Sequence, residues 1–387
     1  MRRIGLGVVL AITMASSTFA LPIFSVLATP LREEFSAARW QIGILVTVVT
    51  ATGAVVSPAT GSFADRLAPR HATAATLALA GIGFVSMGMS VGYLMLAAMS
   101  ILCGVAQAMA NPATNRLIMS QVEAGRRGFL TGVKQAGVQA GNFLGGILLP
   151  LGAASVLGWR GTISVAALVP LVGLVVLFAI TRGSPRAPLG ARRERVRVSP
   201  AVMRLAFYGG CLGLAVGSLQ TYLPSYAHES FGLSTAQGGA LVSLFGLTGF
   251  ITRLTAGPLS ERVFGHHRTL AAMAAMTGLA AVLLAVAPAG GWLWPVAVLI
   301  GLGPMAWNVV GNLAVMELSP PGAAGRGSGV MMAGFLGGMA TGAPIFGAAV
   351  DLTGTYRPGW LAVAGLGVVA AWLAGGIRED RVAPVVS

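Results

Sequence analysis

The sequence predicts an all-α membrane protein with twelve transmembrane helices arranged as two parallel six-helix repeats. Three observations predict this fold. The composition is 55% hydrophobic and only 9% charged, whereas soluble domains carry roughly 25% charged residues. Twelve segments each hold the roughly 20 mostly apolar residues that cross a bilayer. The second half of the chain also repeats polar and glycine positions of the first half.

The twelve apolar segments are separated by short polar stretches, which predicts helices joined by short loops. Their approximate ranges are 5–29, 41–60, 72–91, 93–117, 128–157, 162–181, 201–227, 237–256, 269–288, 292–317, 329–352 and 359–377. The first segment follows Arg2 and Arg3, as the apolar part of a signal peptide would. It is longer than the roughly 7 to 15 residues of such a region, so we expect it to remain as the first helix.

Arginine positions predict the orientation, because basic residues concentrate on the cytoplasmic side of membrane proteins. With the N-terminus inside, 18 arginines fall in cytoplasmic stretches. Four fall on the other side, and these are Arg32, Arg39, Arg160 and Arg357. We therefore expect both termini to be cytoplasmic. Because arginine dominates over lysine among the basic residues, as in proteins from GC-rich bacterial genomes, we also expect the protein to lie in a bacterial inner membrane.

The longest polar stretch divides the chain into two halves. Residues 1–181 are expected to form an N-terminal six-helix half, residues 182–200 a cytoplasmic linker, and residues 201–387 a C-terminal six-helix half with a short cytoplasmic tail. A shift of 196 or 197 residues aligns "GSFADR" with "GPLSER" and "NPATN" with "NVVGN". It also aligns "GVKQAGVQAGNFLGG" with "GVMMAGFLGGMATGA". Parallel six-helix repeats are a known plan of membrane transporters.

This pattern resembles the major facilitator superfamily over essentially the whole chain. The most specific similarity is "GSFADRLAPRH", which resembles the family motif between helices 2 and 3 and matches it at Gly61, Asp65 and Arg66. The weaker second copy keeps Gly257, Glu261 and Arg262. The resemblance implies that these six residues form a cytoplasmic gate between the halves. The alternative is a charged turn that simply faces water.

Two motifs of proton antiporters in this family are incomplete here. Ser100 stands where the fourth helix of those antiporters carries an arginine, and Asn142 replaces a proline of their fifth-helix motif. The four motif glycines Gly137, Gly141, Gly145 and Gly146 remain. These departures count against a standard drug and proton antiporter without excluding one.

Ionisable residues within the membrane are expensive and therefore point to function. None of the eleven acidic residues falls in the middle of a predicted span, which argues against a cationic substrate. The interior basic residues are Arg116, Lys134 and Arg253. Arg116 lies near a helix end, where it can extend to the cytoplasmic interface.

Lys134 is the only lysine in the chain, and the sequence predicts that it forms a substrate site with Arg253. Both lie at similar depth, and family resemblance places their helices, the fifth and eighth, face to face. An arginine four residues before the loop glycine also resembles nitrate porters and monocarboxylate carriers. Two cations without an acidic partner repel each other, and a carboxylate relieves that repulsion. Alternatively, Lys134 extends to the cytoplasm or pairs with Glu123 or Glu261 in a gate.

Polar side chains at helical spacing extend this predicted site. Gln107, Asn111 and Asn115 share one face of the fourth helix, and Asn308 and Asn312 repeat the pattern in the tenth. Gln139 lies on a similar line of the fifth helix, with Gln135 and Asn142, and Tyr222 is a weaker candidate. We expect these side chains to donate hydrogen bonds to substrate, or alternatively to join helices to one another.

The sequence therefore favours a secondary active transporter of a small organic anion, working by alternating access. Efflux of neutral or amphipathic compounds is the alternative, and a membrane enzyme or sensor is a remote one because no metal cluster, nucleophile motif or phosphate loop is found. The expected partners are the lipid bilayer and a small-molecule substrate, alone or with a proton. We expect no nucleic acid partner, no cofactor, no enzymatic activity and a monomer.

Overall fold

The computed structural model describes the backbone of residues 2–122, 127–181, 199–318 and 324–377, and within these it leaves the side chains of 2–3, 58–66, 127–128 and 324–326 undescribed. All regular structure in these ranges is helical. The expected linker at 182–200 lies almost entirely outside them.

In the first part of the chain, the described residues form nine helices, which we call the first group. They are α1 (Arg2–Thr18), α2 (Ala20–Val26), α3 (Ala28–Phe35), α4 (Arg39–Arg66), α5 (Pro69–Gly88), α6 (Tyr93–Gln121), α7 (Arg127–Ala153), α8 (Gly158–Ala166) and α9 (Leu168–Ile180).

The rest of the chain forms the second group. Its helices are α10 (Pro200–Phe231), α11 (Thr235–Leu259), α12 (His266–Val286), α13 (Leu293–Leu302), α14 (Trp307–Leu318), α15 (Ala324–Thr353) and α16 (Arg357–Gly375). A π-helical turn, Ser260–Phe264, follows α11, and a 3₁₀ turn, Gly290–Trp292, precedes α13.

Prolines explain why several predicted spans are broken into shorter helices. The helices are interrupted at Phe19, Leu27 and Ala167, each three residues before a proline. Proline breaks a helix because it lacks an N–H and its ring clashes with the preceding turn. The axis bends by 49° between α1 and α2. A further break separates α13 from α14 at Gly303 and Pro304. Joined across these breaks, the helices make twelve runs, as predicted.

Ten of these runs are single stretches long and apolar enough to cross a membrane, and the bent pair of α1 and α2 makes an eleventh. The twelfth run is α7, which is 27 residues long but does not pass the same test of apolarity. The reason is its polar content, since Lys134, Gln135, Gln139 and Asn142 all lie on it. Among the described residues, the run that does not pass this test is thus the one that carries Lys134.

The repeated glycines pack equivalent helix pairs in the two groups. A methyl group on Gly137 would overlap the Ala11 carbonyl, so α7 lies directly against α1. In the second group, a methyl group on Gly338 would overlap the Gly210 carbonyl, so α15 lies against α10 in the same way. The sequence repeat that relates α7 to α15 therefore corresponds to equivalent packing, of α7 on α1 and of α15 on α10.

Two helix pairs make the most extensive contacts between the groups. Gly146 of α7 meets Gly239 of α11 so closely that neither position has room for a side chain, and Gly43 of α4 meets Pro344 of α15 similarly. We call the end of the bundle with the loops at 36–38, 232–234 and 354–356 the distal end. The end with the chain termini is the terminal end.

Candidate functional site

Lys134 lies on α7 with its side chain only 1% exposed. Its Nζ donates hydrogen bonds to Oδ1 of Asn111 at 3.0 Å and to Oδ1 of Asn115 at 2.6 Å, both on α6. The side-chain amide of Gln135 also donates to Asn111 Oδ1, at 3.4 Å. The described part of the chain offers Lys134 no carboxylate partner. Its predicted pairing with Glu261 is not seen, and Glu123 is outside the described residues.

Arg253 on α11 reaches across to the first group. Its Nη1 donates to the backbone carbonyl of Gln135 at 2.9 Å, and its Nε donates to the carbonyl of Met305 at 3.0 Å. Met305 lies in the break between α13 and α14, where the interrupted helix leaves carbonyl groups available. Gln135 thus contacts Arg253 through its backbone and Asn111 through its side chain, so the two basic residues belong to one polar cluster.

A line of buried amides continues this cluster towards the distal end. Gln139 Nε2 donates to the Met305 carbonyl at 3.1 Å, and Asn142 Nδ2 donates to Gln139 Oε1 at 3.0 Å. Gln220 Nε2 of α10 then donates to Asn142 Oδ1 at 3.2 Å. We call Gln139, Asn142 and Gln220 the amide relay. Asn142 occupies the position where the antiporter motif has proline, and there it joins the two helix groups.

The remaining amides of the predicted site are only partly engaged. Asn312 Nδ2 donates to the backbone carbonyl of Asn308 within α14. Gln107 Oε1 and Asn308 Oδ1 are buried and accept no hydrogen bond from any described residue. Gln107 packs against Gly53 of α4.

Tyr222 lies away from this cluster, at the distal end. Its hydroxyl donates to the backbone carbonyl of Arg39 at 2.8 Å, and its ring stacks on Phe346 with centroids 5.1 Å apart. The side chain is 1% exposed within the apolar core. Its position gives it a structural role in joining α10 to α4.

An ion-pair network that the sequence analysis did not find ties the groups together at the distal end. Arg39 at the start of α4 binds Glu229 of α10 and Asp351 of α15, and Arg32 of α3 also binds Glu229. The sequence signal was available, because Arg32 and Arg39 were already assigned to the outer side. It was missed because Glu229 and Asp351 are far from them in the chain.

Part of the predicted gate at the terminal end can be located. Glu261 and Arg262 lie in the exposed π-helical turn and form no ion pair with a described residue. Gly257 is buried against Val309 and Leu313. Only the backbone of Gly61, Asp65 and Arg66 is described, so the gate stays a prediction.

The arrangement can hold an anion. Lys134 and Arg253 carry two positive charges in an apolar bundle, and their described partners are neutral amides and carbonyls. Charges removed from water interact strongly, and an anion bound near both gains from each of them. The described residues contain no group of three potential metal ligands.

A bundle of membrane-length helices in two groups, with a polar cluster where they meet, defines a membrane transporter. The chain belongs to the Major Facilitator Superfamily, whose sequence model matches residues 6–335 and 229–385. It is accordingly a multi-pass membrane transporter and not an enzyme.

Similar proteins include two bacterial transporters. The chain is 24% identical over 383 residues to the probable sulfoacetate transporter SauU of Cupriavidus necator, covering 90% of this chain and 88% of that one. It is 26% identical over 334 residues to the probable nitrate/nitrite transporter NarK2 of Mycobacterium tuberculosis, covering 81% and 80%. The fold matches the crystal structure of a bacterial homolog of the human lysosomal transporter Spinster, in an inward-facing and unoccupied conformation, with a TM-score of 0.77, 15% identity and 96% coverage of both chains.

Proposed function

We propose that the protein is a secondary active transporter of a small organic anion of the carboxylate or sulfonate class. The observation that carries the proposal is the placement of Lys134 and Arg253 in one polar cluster where the two helix groups meet, with no described acidic partner. The two relatives named for sulfoacetate and for nitrate or nitrite support an anionic substrate.

The proposed mechanism is alternating access. The halves 1–181 and 201–387 rock about the site, connected by the linker 182–200, and the distal end faces the outside of a bacterial inner membrane with both termini in the cytoplasm. A bound anion relieves the repulsion between Lys134 and Arg253. Binding therefore favours the closed state through which the transporter passes between its outward-open and inward-open states. A proton that enters with the anion would make the protein a symporter, and the working unit is a monomer.

Uptake into proteoliposomes tests this proposal. We expect wild-type protein to accumulate labelled sulfoacetate or a labelled mono- or dicarboxylate, and we expect Lys134→Gln and Arg253→Gln each to lower uptake about tenfold or more, as loss of one of the two positive charges of the cluster predicts. Arg204→Gln is the matched control, because Arg204 contacts the Gly376 carbonyl at the terminal end and not the cluster.

Two outcomes would count against the proposal. Normal anion uptake by both the Lys134→Gln and the Arg253→Gln variant would show that these two residues do not form the anion site. Efflux of a neutral dye without any anion signal would favour the alternative function, export of neutral or amphipathic compounds, which the retained antiporter glycines also suggest.

A further inference from the structure

The cluster contains a contrast in exposure that decides which atoms an anion can touch. Lys134 is buried, whereas Asn111 and Asn115, which accept its hydrogen bonds, are exposed. The two asparagines therefore cover the ammonium group. An anion that reaches this side of the cluster meets their side chains first.

Hydrogen-bond chemistry fixes the direction of both asparagine amides. An ammonium group has three donors and no acceptor, so it can bind an asparagine only through the amide oxygen. The oxygen and nitrogen of an amide diverge from the same planar carbon, and the orientation is assigned from such partners. With both Oδ1 atoms turned to Lys134 Nζ, both Nδ2 groups are turned away from it. Among the described residues, none accepts a hydrogen bond from either Nδ2.

The spacing of Asn111 and Asn115 along α6 places their two amide groups in one site. Asn111 and Asn115 are four residues apart on α6, so their side chains are neighbours on one face of the helix. Gln135 links Asn111 to Arg253, whose Nε and Nη1 are occupied by carbonyls while its Nη2 has no described partner. The donors of the cluster that lack a described partner are thus the two neutral N–H₂ groups and Nη2 of the guanidinium.

We infer that the anion is bound directly by Nδ2 of Asn111 and Asn115 together with Arg253, and that Lys134 is a positioning residue that orients the two amides from behind. The inference rests on the proposed function. Two neighbouring amides together with a guanidinium suit a planar or tetrahedral oxyanion, such as a carboxylate or sulfonate, with several acceptor oxygens. The lysine charge strengthens these amides as donors without contacting the ligand.

The variant Asn111→Ala/Asn115→Ala separates this arrangement from direct contact with Lys134. It keeps both positive charges and uncovers the ammonium group while removing the two donors. We expect the dissociation constant for labelled sulfoacetate, measured on purified protein in nanodiscs, to rise about tenfold or more. Wild-type or tighter binding by this variant would overturn the inference, because it would mean that Lys134 contacts the anion.

Further variants keep the test decisive if the double variant does not fold. Asn115→Asp has nearly the same shape and still accepts from Lys134, but it offers no N–H and adds a negative charge, so we expect a larger loss. Unchanged binding by this variant would overturn the inference. Thr114→Ala, between the two asparagines, removes a hydroxyl that contacts only its own helix and should bind normally.

Transport kinetics test the positioning role of Lys134. We expect Lys134→Met to raise the Michaelis constant for sulfoacetate and leave the maximal rate nearly unchanged, since the amides remain but lose their orientation. A fall in maximal rate alone would contradict a positioning role. Failure of wild-type protein to bind or transport any of the tested anions would reject the proposed function itself, whereas unchanged asparagine variants beside an active wild type would reject only this inference.

Discussion

A backbone carbonyl at the start of a chain of buried amides determines which end of each amide donates and which end accepts. The Met305 carbonyl can only accept, so Gln139 presents its nitrogen there and its oxygen to Asn142. Asn142 must then donate to Gln139, which leaves its own oxygen for Gln220. Both polar ends of Gln139 are used in this relay, which holds the Met305 carbonyl beside Arg253, and its predicted contact with substrate stays a prediction.

Asn142→Ala tests the relay at the scale of one residue. The substitution leaves Gln220 Nε2 and Gln139 Oε1 buried without their partner, and each loss costs about 1–3 kcal/mol. We expect a clear fall in the midpoint of thermal unfolding. Thr277→Val is the matched control, because the Thr277 hydroxyl is buried but bonds only within its own helix. Equal midpoints for both variants would show that the relay does not stabilise the protein.

The sequence predicts how deep a residue lies in the membrane, but it does not predict how one helix is rotated against its neighbour. A single lysine in an apolar segment marks Lys134 as interior, and helical spacing puts Asn111 and Asn115 on one face. That Lys134 lies behind those asparagines follows from the rotation of α6 against α7, which sequence spacing does not contain. Tyr222 shows the same limit, because its polar tip reaches the start of α4 instead of the cluster.

At the scale of helices, the glycine repeat serves packing, as its spacing predicts. The helix breaks were harder to predict than the glycine packing, since the sequence shows twelve apolar runs but not where each run breaks. The break at Gly303 and Pro304 matters most, because it frees the Met305 carbonyl that receives both Arg253 and Gln139. A helix interruption thereby contributes to the site without placing any side chain in it.

Adjacent glycines on α15 offer a matched test of helix packing. A methyl group on Gly338 would overlap the Gly210 carbonyl of α10, whereas one on Gly337 meets no atom within 4 Å. We expect Gly338→Ala to lower the unfolding midpoint because the helices must separate. Gly337→Ala should be neutral or slightly stabilising, since alanine favours helix over glycine. Similar effects of the two substitutions would mean that α10 and α15 are not in close contact.

For the whole molecule, the described contacts between the groups run from the distal end to the level of Arg253. The ion pairs of Arg39 and Arg32, the Gly43 and Gly146 contacts and the amide relay all lie along this path. Towards the terminal end, a methyl group on Gly132 of α7 or on Gly329 of α15 would meet no described atom within 4 Å. This is an arrangement closed at the distal end, and alternating access requires that its distal contacts break.

Arg39→Gln tests whether the distal ion pairs hold that closure. Arg39 bridges two helices of the other group, and losing about 1 kcal/mol of ion-pair energy would raise the distal-open population about fivefold. The measurement is the labelling rate of Thr47→Cys, which lies between α4 and α15, by an impermeant maleimide outside spheroplasts, with Cys103 and Cys211 replaced by serine. We expect faster labelling with Arg39→Gln. Arg160→Gln is the control, because Arg160 pairs with Glu34 inside the first group and its loss should leave the rate unchanged. Equal rates in both variants would mean that closure rests on the helix contacts and the amide relay instead.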